Sequence, residues 1–479
     1  SSDITSKNIT LGSEKLNAWN EGTGEYDITE LEIKGKGTAT NDNINLSSLK
    51  IAAGSTGHKL NITNFKSGSL TLNDNNLGNA SQDESAVDAT TVTVTGTESN
   101  DTITINQGKI KDVSTGKGAD TVVINSGVNV ATLSTGEGAD IINISGTVGT
   151  LDAGDGDDKI VLISGSGTKV GTIDAGAGND NIEVGSGASV STINLGAGDD
   201  TITLKSGAGE GLTINGGDGK DTLTLDASSS SVDFTKITKI SGIELLDISG
   251  ASSSSGAKIS YDSIKDNLNL TLSGSGSLTI ETGDNKDINL AGFKGTSGQN
   301  TDGITLENIN TGDTIKLNKD DGIKETIKLK GAAGNGNDPH TTITGLASGD
   351  MLNVSEAFSG FSGTSSSFAE VSATTTISSS KAYFFKGTVD NIDFTEQNLG
   401  QALLNAISGA NSSISKISVN SSAKAIFALN SGDGNSYLFS VSGGTSTTGI
   451  EKATVKLLAV VDNTIDAQDK VSGGDITFA

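Results

Sequence analysis

The stretch that decides the fold is "STGKGADTVVINSGVNVATLSTGEGADIINI", residues 114–144, in which nearly the same phrase occurs twice. Each copy begins with a turn of the form Gly-x-Gly-x-Asp and continues into a short run of alternating β-branched residues. Alternation with a period of two is the pattern of a β-strand with one buried face. The stretch therefore predicts a repeating unit of turn and strand.

The same unit occurs six times, with its turns 18 to 22 residues apart. A self-similar period in this range is typical of a solenoid. A second turn, Ser-Gly, follows the strand in five of the units, and a second apolar pair precedes the next acidic turn. The acidic turns contain Gly116, Gly118 and Asp120; Gly136, Gly138 and Asp140; Gly154, Asp155, Gly156, Asp157 and Asp158; Gly176, Gly178, Asn179 and Asp180; Gly196, Gly198, Asp199 and Asp200; and Gly217, Asp218, Gly219 and Asp221.

Each unit has too little apolar surface to form a core by itself, so consecutive units must stack as coils. Equivalent residues then lie in columns, about one strand spacing of 4.8 Å apart. We expect both apolar pairs of every unit to face the core. The pairs are Val122/Ile124, Ile142/Ile144, Ile160/Leu162, Ile182/Val184, Ile202/Leu204 and Leu223/Leu225 on the first strand, and Val130/Leu133, Val148/Leu151, Val170/Ile173, Val190/Ile193 and Leu212/Ile214 on the second.

Stacking also brings the final aspartates of the six turns into one file. Two carboxylates about 5 Å apart repel each other by roughly 3 kcal/mol at an effective dielectric near 20. Glycine can adopt positive φ and turn its carbonyl inward, and a cage of carboxylate and carbonyl oxygens favours Ca²⁺ over zinc or copper. We therefore predict that the turn residues bind several calcium ions, with each aspartate shared between coils. The alternative is that the aspartates only form local Asx turns.

The segment "GGDGKDTLT", residues 216–224, resembles the G-G-x-G-x-D-x-U-x nonapeptide of RTX proteins at every fixed position. The other five turns match except at the first glycine. The resemblance implies a right-handed parallel β-roll loaded with calcium. Rolls of that family usually carry calcium turns on both edges, whereas this chain has Ser-Gly on its second edge, so we expect ions along one edge only.

The fold expected for the whole chain is all-β, with the roll flanked by other β-rich regions. We predict an N-terminal β-rich segment at 1–95, the calcium-binding roll at 96–226, an irregular continuation of the solenoid at 227–350, and a mixed C-terminal domain at 351–479. The phrase "TEQNLGQALLNAISG" has apolar residues at helical spacing and predicts a helix in the last region. The end "GGDITFA" resembles the uncleaved C-terminal signal of RTX proteins, which implies the type I secretion machinery as a partner.

Weaker copies of the turn lie outside the regular run. They are interpreted as ordinary turns or loops: Asn41-Asp42, Asn100-Asp101, Asp284 with Asp287, and "GNGNDPH" with Gly334, Gly336 and Asp338 before Pro339.

Composition excludes several functional classes. The net charge of −26, with lysine as the only basic residue apart from two histidines, disfavours nucleic acid and anionic lipid. The absence of cysteine removes disulfides and thiolate metal sites. No apolar stretch approaches the ~20 residues of a membrane span, and Ser1 does not open a secretory signal peptide. His58 and His340 stand in no catalytic motif, so we predict that the protein is not an enzyme.

The chain as a whole resembles RTX surface-layer (S-layer) proteins of Gram-negative bacteria. This resemblance implies a structural protein at the extracellular cell surface that folds on binding calcium and self-assembles into a two-dimensional lattice. Lipopolysaccharide is a further expected partner, through an anchor that the sequence does not identify. The alternative is an RTX adhesin that binds a host or cell-surface ligand, although such proteins are usually longer and built of tandem Ig-like domains.

Overall fold

A computed structural model gives the fold of the chain, and residues 91–226 are described without a gap. The other described residues are 9–10, 19–20, 25–26, 30–34, 44–46, 59–63, 66–72, 232–249, 256–267, 269–274, 276–296, 303–319, 323–330, 341–348, 350–354, 366–367, 369–370, 376–377, 381–389, 399–411, 417–432, 434–444, 449–450, 453–462, 469–472 and 475–477.

The fold is all-β and contains a parallel β-solenoid of about 11 turns, as predicted. The strands of the first half of the chain are β1 (Ile9–Thr10), β2 (Trp19–Asn20), β3 (Glu25–Tyr26), β4 (Glu30–Lys34), β5 (Ile44–Leu46), β6 (Lys59–Thr63), β7 (Ser67–Leu72), β8 (Thr91–Thr95), β9 (Thr102–Gln107), β10 (Lys109–Lys117), β11 (Thr121–Ile124), β12 (Asn129–Glu137), β13 (Ile141–Ile144), β14 (Thr147–Asp155), β15 (Lys159–Leu162), β16 (Lys169–Ala177), β17 (Asn181–Val184), β18 (Ser189–Ala197), β19 (Thr201–Lys205), β20 (Thr213–Asp218), β21 (Thr222–Asp226), β22 (Val232–Phe234), β23 (Lys239–Ser241) and β24 (Leu245–Asp247).

Among the described residues of the second half, two helices, α1 and α2, interrupt the strands. In chain order the elements are β25 (Ala257–Ser260), α1 (Tyr261–Ile264), β26 (Thr271–Ser273), β27 (Leu278–Glu281), β28 (Asp287–Asn289), β29 (Lys294–Gly295), β30 (Ile304–Ile309), β31 (Thr314–Lys316), β32 (Glu325–Leu329), β33 (Thr341–Thr344), β34 (Met351–Asn353), β35 (Ser366–Ser367), β36 (Ala369–Glu370), β37 (Thr376–Ile377), β38 (Lys381–Val389), α2 (Leu399–Ala410), β39 (Ser418–Val419), β40 (Lys424–Ser431), β41 (Ser436–Ser442), β42 (Thr454–Val461), β43 (Lys470–Ser472) and β44 (Asp475–Thr477).

The first compact unit comprises residues 1–226 and 236–246. Its two main sheets follow the order β1-β5-β7-β9-β11-β13-β15-β17-β19-β21-β24 and the order β4-β6-β8-β10-β12-β14-β16-β18-β20-β23, so alternate strands of the chain belong to opposite sheets. The pairing is parallel and aligns the first glycine of the six Gly-x-Gly-x-Asp turns in one column, which confirms the period read from the sequence. The aligned residues are Gly116, Gly136, Gly154, Gly176, Gly196 and Gly217.

The core of this unit is a thin apolar layer between the two sheets. Every residue of the predicted inward-facing pairs is buried, and the most exposed of them, Val170 and Val190, retain only 4% of their accessible surface. The side chains of these pairs are Val, Ile and Leu, without an aromatic residue among them. The sequence-based assignment of the inward faces is therefore confirmed.

Glycine is required in the acidic turns by the contact between coils. Gly136 and Gly138 have φ of 102° and 137°, in the region that side chains disfavour. A Cβ on Gly136 would lie 2.0 Å from the carbonyl oxygen of Gly116, and a Cβ on Gly138 would lie 2.0 Å from that of Gly118. The carbonyl oxygens of Gly116 and Gly118 are therefore packed directly against Gly136 and Gly138 of the next coil.

The second compact unit comprises residues 227–235 and 247–479. It has a parallel array, β22-β25-β27-β30-β32-β34, and an antiparallel set in which β40, β41 and β42 are neighbours. The predicted helix is confirmed as α2, and its Leu403 and Ile407 share a buried cluster with Phe427 and Phe439. Within the described part of the chain, no helix is both long and apolar enough to cross a membrane.

Candidate metal centre along the aspartate ladder

The six predicted aspartates form a continuous column at the turn edge of the first unit. Each stands immediately before a strand of the same sheet, so the parallel register that stacks those strands also stacks the carboxylates. All six are buried, with at most 2% of their surface exposed. They are Asp120, Asp140, Asp158, Asp180, Asp200 and Asp221.

One oxygen of each carboxylate holds two coils together. The backbone N–H of each aspartate donates to Oδ1 of the aspartate in the next coil, for example from Asp120 to Asp140 at 2.7 Å and from Asp158 to Asp180 at 2.8 Å. The same bond recurs at every step from Asp101 to Asp221, with distances between 2.7 and 3.0 Å. We call this column the aspartate ladder.

The other oxygen, Oδ2, is buried without a hydrogen-bond partner in all six aspartates. In two coils a threonine hydroxyl lies beside the carboxylate, at Asp120 and at Asp140. These hydroxyls nevertheless donate to the backbone of the next coil, from Thr115 to the carbonyl of Thr135 and from Thr135 to that of Ala153, at 2.9 Å each. The ladder is therefore a file of unpaired buried carboxylate oxygens, one per coil.

Burial raises the pKa of every carboxyl group in the ladder. Loss of hydration raises the pKa of Asp158 to about 7, and it raises the pKa of Asp120, Asp180 and Asp221 to about 6. The backbone N–H donors oppose this shift, whereas the neighbouring carboxylates add to the rise at Asp158 and Asp180. Without a compensating positive charge, the ionised ladder opposes folding.

The ladder fits a cation that takes oxygen ligands. A buried unpaired carboxylate oxygen needs either a proton or a cation, and one such oxygen stands in every coil. The carbonyl oxygens of Gly116 and Gly118 face the next coil. In the described segments no three acidic or imidazole side chains converge on one point. A metal bound here would therefore be held by carboxylates of adjacent coils together with backbone carbonyls.

The remaining acidic side chains that we predicted as ligands lie outside the ladder. Asp155 and Asp218 project into solvent, and so do Asp157, Asn179 and Asp199, each of which directly precedes a ladder aspartate. Those three form a second, exposed hydrogen-bond file, in which Asn179 N donates to Asp157 Oδ1 and Asp199 N donates to Asn179 Oδ1, both at 2.7 Å. The structure therefore separates the predicted carboxylates into a buried file and an exposed one.

The ladder ends differently at its two termini. Asp101 is buried, and its carboxylate accepts hydrogen bonds from N and Oγ1 of Thr97 at 2.6 and 2.7 Å. At the other end, Asp221 N donates to Oε2 of Glu244 at 2.9 Å, so a glutamate takes the place of the next aspartate. Glu244 was missed because its segment, "SGIELLD", does not contain the turn motif.

The Asx-turn interpretation does not describe Asp101, whose carboxylate accepts hydrogen bonds from Thr97, four residues earlier, rather than from a residue two positions later. It does not describe the ladder either, in which each Oδ1 accepts from a residue 18 to 22 positions earlier. Asp284 lies exposed in an ordinary turn, as expected, and Asp287 is the exposed first residue of β28. The other weak copies, at 41–42 and 334–338, and both histidines fall outside the described residues.

The chain was compared with protein-family models and with curated proteins. No family model matches it, and no curated protein matches it.

Proposed function

We propose that the protein is a calcium-dependent structural protein of the RTX surface-layer type, which folds outside the cell and assembles into a two-dimensional lattice on the bacterial surface. The observation that carries the calcium part is the file of six buried carboxylates, each with one unpaired oxygen. The export and assembly parts are supported by the resemblance of the repeats to RTX proteins and by the strongly acidic composition, with a net charge of −26.

The ladder residues prepare the gaps between coils for a divalent ion. Each backbone N–H fixes Oδ1 of the next carboxylate, which sets the orientation of Oδ2 in the folded stack. A bound calcium ion would supply the positive charge that offsets the repulsion between neighbouring carboxylates. Because every ladder aspartate between the two ends adjoins two gaps, its removal affects two sites.

Folding of the roll then follows the calcium concentration. An ion that binds only the folded state stabilises it by about 2.7 kcal/mol when its concentration is 100 times its dissociation constant. The stabilising free energies of several sites in one stack add up, and coils that share ligands fold together. Where calcium is scarce the carboxylates repel one another, so the roll stays unfolded until the chain meets calcium outside the cell.

Electron microscopy of the purified full chain tests the assembly part of the proposal. With millimolar calcium we expect ordered two-dimensional arrays, and with a chelator, or with magnesium alone, we expect none. The matched control is Asp157→Asn, which removes an exposed carboxylate next to the ladder and leaves the arrays intact. Monodisperse monomers in calcium that bind one cell-surface ligand would contradict the lattice and favour the adhesin.

A further inference from the structure

Two buried carboxyl groups lie side by side in the second unit. The parallel register aligns Leu278 of β27 with Ile304 of β30 and Ile304 with Glu325 of β32, so an acidic residue continues an apolar column. Glu325 is as buried as the column, with 2% of its surface exposed. The pairing of β32 with β34 places Asp350, which directly precedes β34, beside Glu325, and Asp350 has 0% of its surface exposed.

The two residues are joined by hydrogen bonds. Glu325 N donates to Oδ1 of Asp350 at 3.1 Å, and the two side chains also hydrogen-bond to each other. Oδ2 of Asp350 accepts the N–H of Ala347 at 2.6 Å. An ionised carboxylate can only accept hydrogen bonds, so a bond between two carboxyl groups needs a proton on one of them.

This pair differs from the aspartate ladder in the oxygen that the ladder leaves unpaired. Every ladder aspartate has a buried Oδ2 without a partner, whereas both oxygens of Asp350 accept backbone hydrogen bonds. The step from one acidic residue to the next is otherwise the same, since a backbone N–H donates to Oδ1 of the following carboxyl group. The arrangement therefore favours a proton between the two groups rather than a metal ion.

The strands around this pair carry two ion pairs and several exposed lysines. Glu307 of β30 pairs with Lys328 of β32 at 2.7 Å and with Lys258 of β25 at 3.4 Å. In the other sheet of the unit, Asp313 directly precedes β31 and accepts the N–H of Asn310 at 2.6 Å. Strand β34 contains no charged residue. The remaining charged residues are the exposed Lys316 of β31, the exposed Lys324 and Lys330 beside β32, and Asp475 of β44, which lies opposite Asn353 in the register.

We infer that Glu325 and Asp350 hold one proton between them, which makes the pair a proton-binding site inside the second unit. At a pH at which ordinary aspartate and glutamate are both ionised, this pair carries one negative charge rather than two. Adjacent buried carboxylates repel each other, so the pair titrates as a unit and releases its last proton only at a higher pH. The site is separate from the ladder and does not depend on the proposed calcium function.

The shared proton makes the second unit sensitive to pH. Burial raises the pKa of Asp350, and its hydrogen bonds to Ala347 and Glu325 oppose this rise. The folded unit therefore keeps a proton that the unfolded chain releases at about pH 4. The stabilising effect is complete below that pH and is lost as the pH rises through the folded pKa of the pair, so the second unit loosens at alkaline pH even when calcium is present.

Infrared spectroscopy of the full chain at pH 6.5, in calcium, tests for the proton. Ordinary carboxyl groups are ionised at this pH, so a protonated buried group gives a separate carbonyl-stretching band. We expect this band in the wild type and its loss in both Glu325→Gln and Asp350→Asn, because the new amide group can donate the hydrogen bond without a bound proton. Amide hydrogen exchange over residues 323–330 and 350–354, corrected for the intrinsic rate, should show protection that falls with rising pH in the wild type and not in Glu325→Gln.

Glu307→Gln is the matched control. It makes the same chemical change on the neighbouring strand, where the carboxylate pairs with Lys328, so the band should remain. Absence of the band from the wild type, or its persistence in both Glu325→Gln and Asp350→Asn, would overturn the inference. A difference between wild type and Glu325→Gln that is present in chelator and vanishes in calcium would also overturn it, because calcium would then take the place of the proton.

Discussion

The substitution Asp158→Asn should change stability in opposite directions with and without calcium. Asparagine keeps an oxygen that can accept the N–H of Asp140, which is 2.7 Å from Oδ1 in the wild type. It also replaces the unpaired, negatively charged Oδ2 with a neutral amide. The perturbation therefore removes charge from the ladder without removing its hydrogen bond.

The magnitude follows from the pKa of Asp158. Burial and the neighbouring carboxylates raise this pKa from 3.8 to about 7, and the difference corresponds to ~4 kcal/mol of folding free energy opposed by the ionised group above pH 7.5. An amide buried without a full set of partners costs about 1–2 kcal/mol. In a chelator, the variant should therefore be more stable than the wild type by about 2 kcal/mol.

The assay is far-ultraviolet circular dichroism at pH 8, with a calcium titration that starts in chelator and with urea unfolding in calcium. In chelator, where the roll of the wild type loses its β-structure, the variant should retain more of it. In calcium the order should reverse, and the calcium concentration at the folding midpoint should rise at least about tenfold, because calcium affinity depends on the number of charged ligands.

Asp157→Asn is the control for this experiment. It makes the same chemical change one residue away on the exposed file, so its stability should differ from that of the wild type by no more than about 0.5 kcal/mol in either condition. If Asp158→Asn destabilised the roll equally in chelator and in calcium, the carboxylate would act only as a hydrogen-bond acceptor. That result would show that the negative charge of Asp158 has no role in calcium-dependent folding.

Three other predictions concern the same roll. Asp180→Ala and Asp200→Ala should show non-additive losses of calcium-induced folding, because the two adjoin one gap; a double-mutant cycle with zero coupling would contradict shared ligands. Gly136→Ala should destabilise the roll by at least about 3 kcal/mol, since its Cβ would lie 2.0 Å from the carbonyl of Gly116, whereas Gly127→Ala, with positive φ but open space, should cost about 1 kcal/mol in chemical unfolding. In a chelator that works in acid, the roll should lose stability as pH rises from about 4 to about 7. The ladder carboxyl groups have pKa values of about 6 to 7 in the folded state in place of 3.8, so the folded state binds more protons than the unfolded state in that window. A free energy of unfolding that is constant or rises with pH would contradict this prediction.

Much of the roll was predictable because its fold depends on a short-range pattern. Parallel stacking repeats one coil at a constant register, so a period of about twenty residues with alternating apolar pairs determines both the sheets and the core. The same register placed Asp120 to Asp221 in one file. Positive φ at Gly136 and Gly138 followed from the same pattern, although the structure shows that contact between coils already demands glycine there.

The sequence did not indicate which acidic residues are buried in the ladder and which are exposed. Asp157 and Asp158 are consecutive, and only the path of the turn decides that Asp158 points into the stack and Asp157 points to solvent. Glu244 joins the ladder through a longer side chain from a segment without the motif, so no spacing rule could have found it. The hydrogen bonds from each backbone N–H to the next carboxylate likewise depend on three-dimensional geometry.

Circular dichroism of the full chain at neutral pH, before and after exhaustive removal of metal, shows whether the roll needs a cation to fold. We expect the β-structure of the roll to be lost in chelator and to return when calcium is restored, because the carboxylates of the ladder cannot remain charged and unpaired in the folded stack. An unchanged spectrum in metal-free buffer would contradict this expectation, since the ladder would then be stable without any cation.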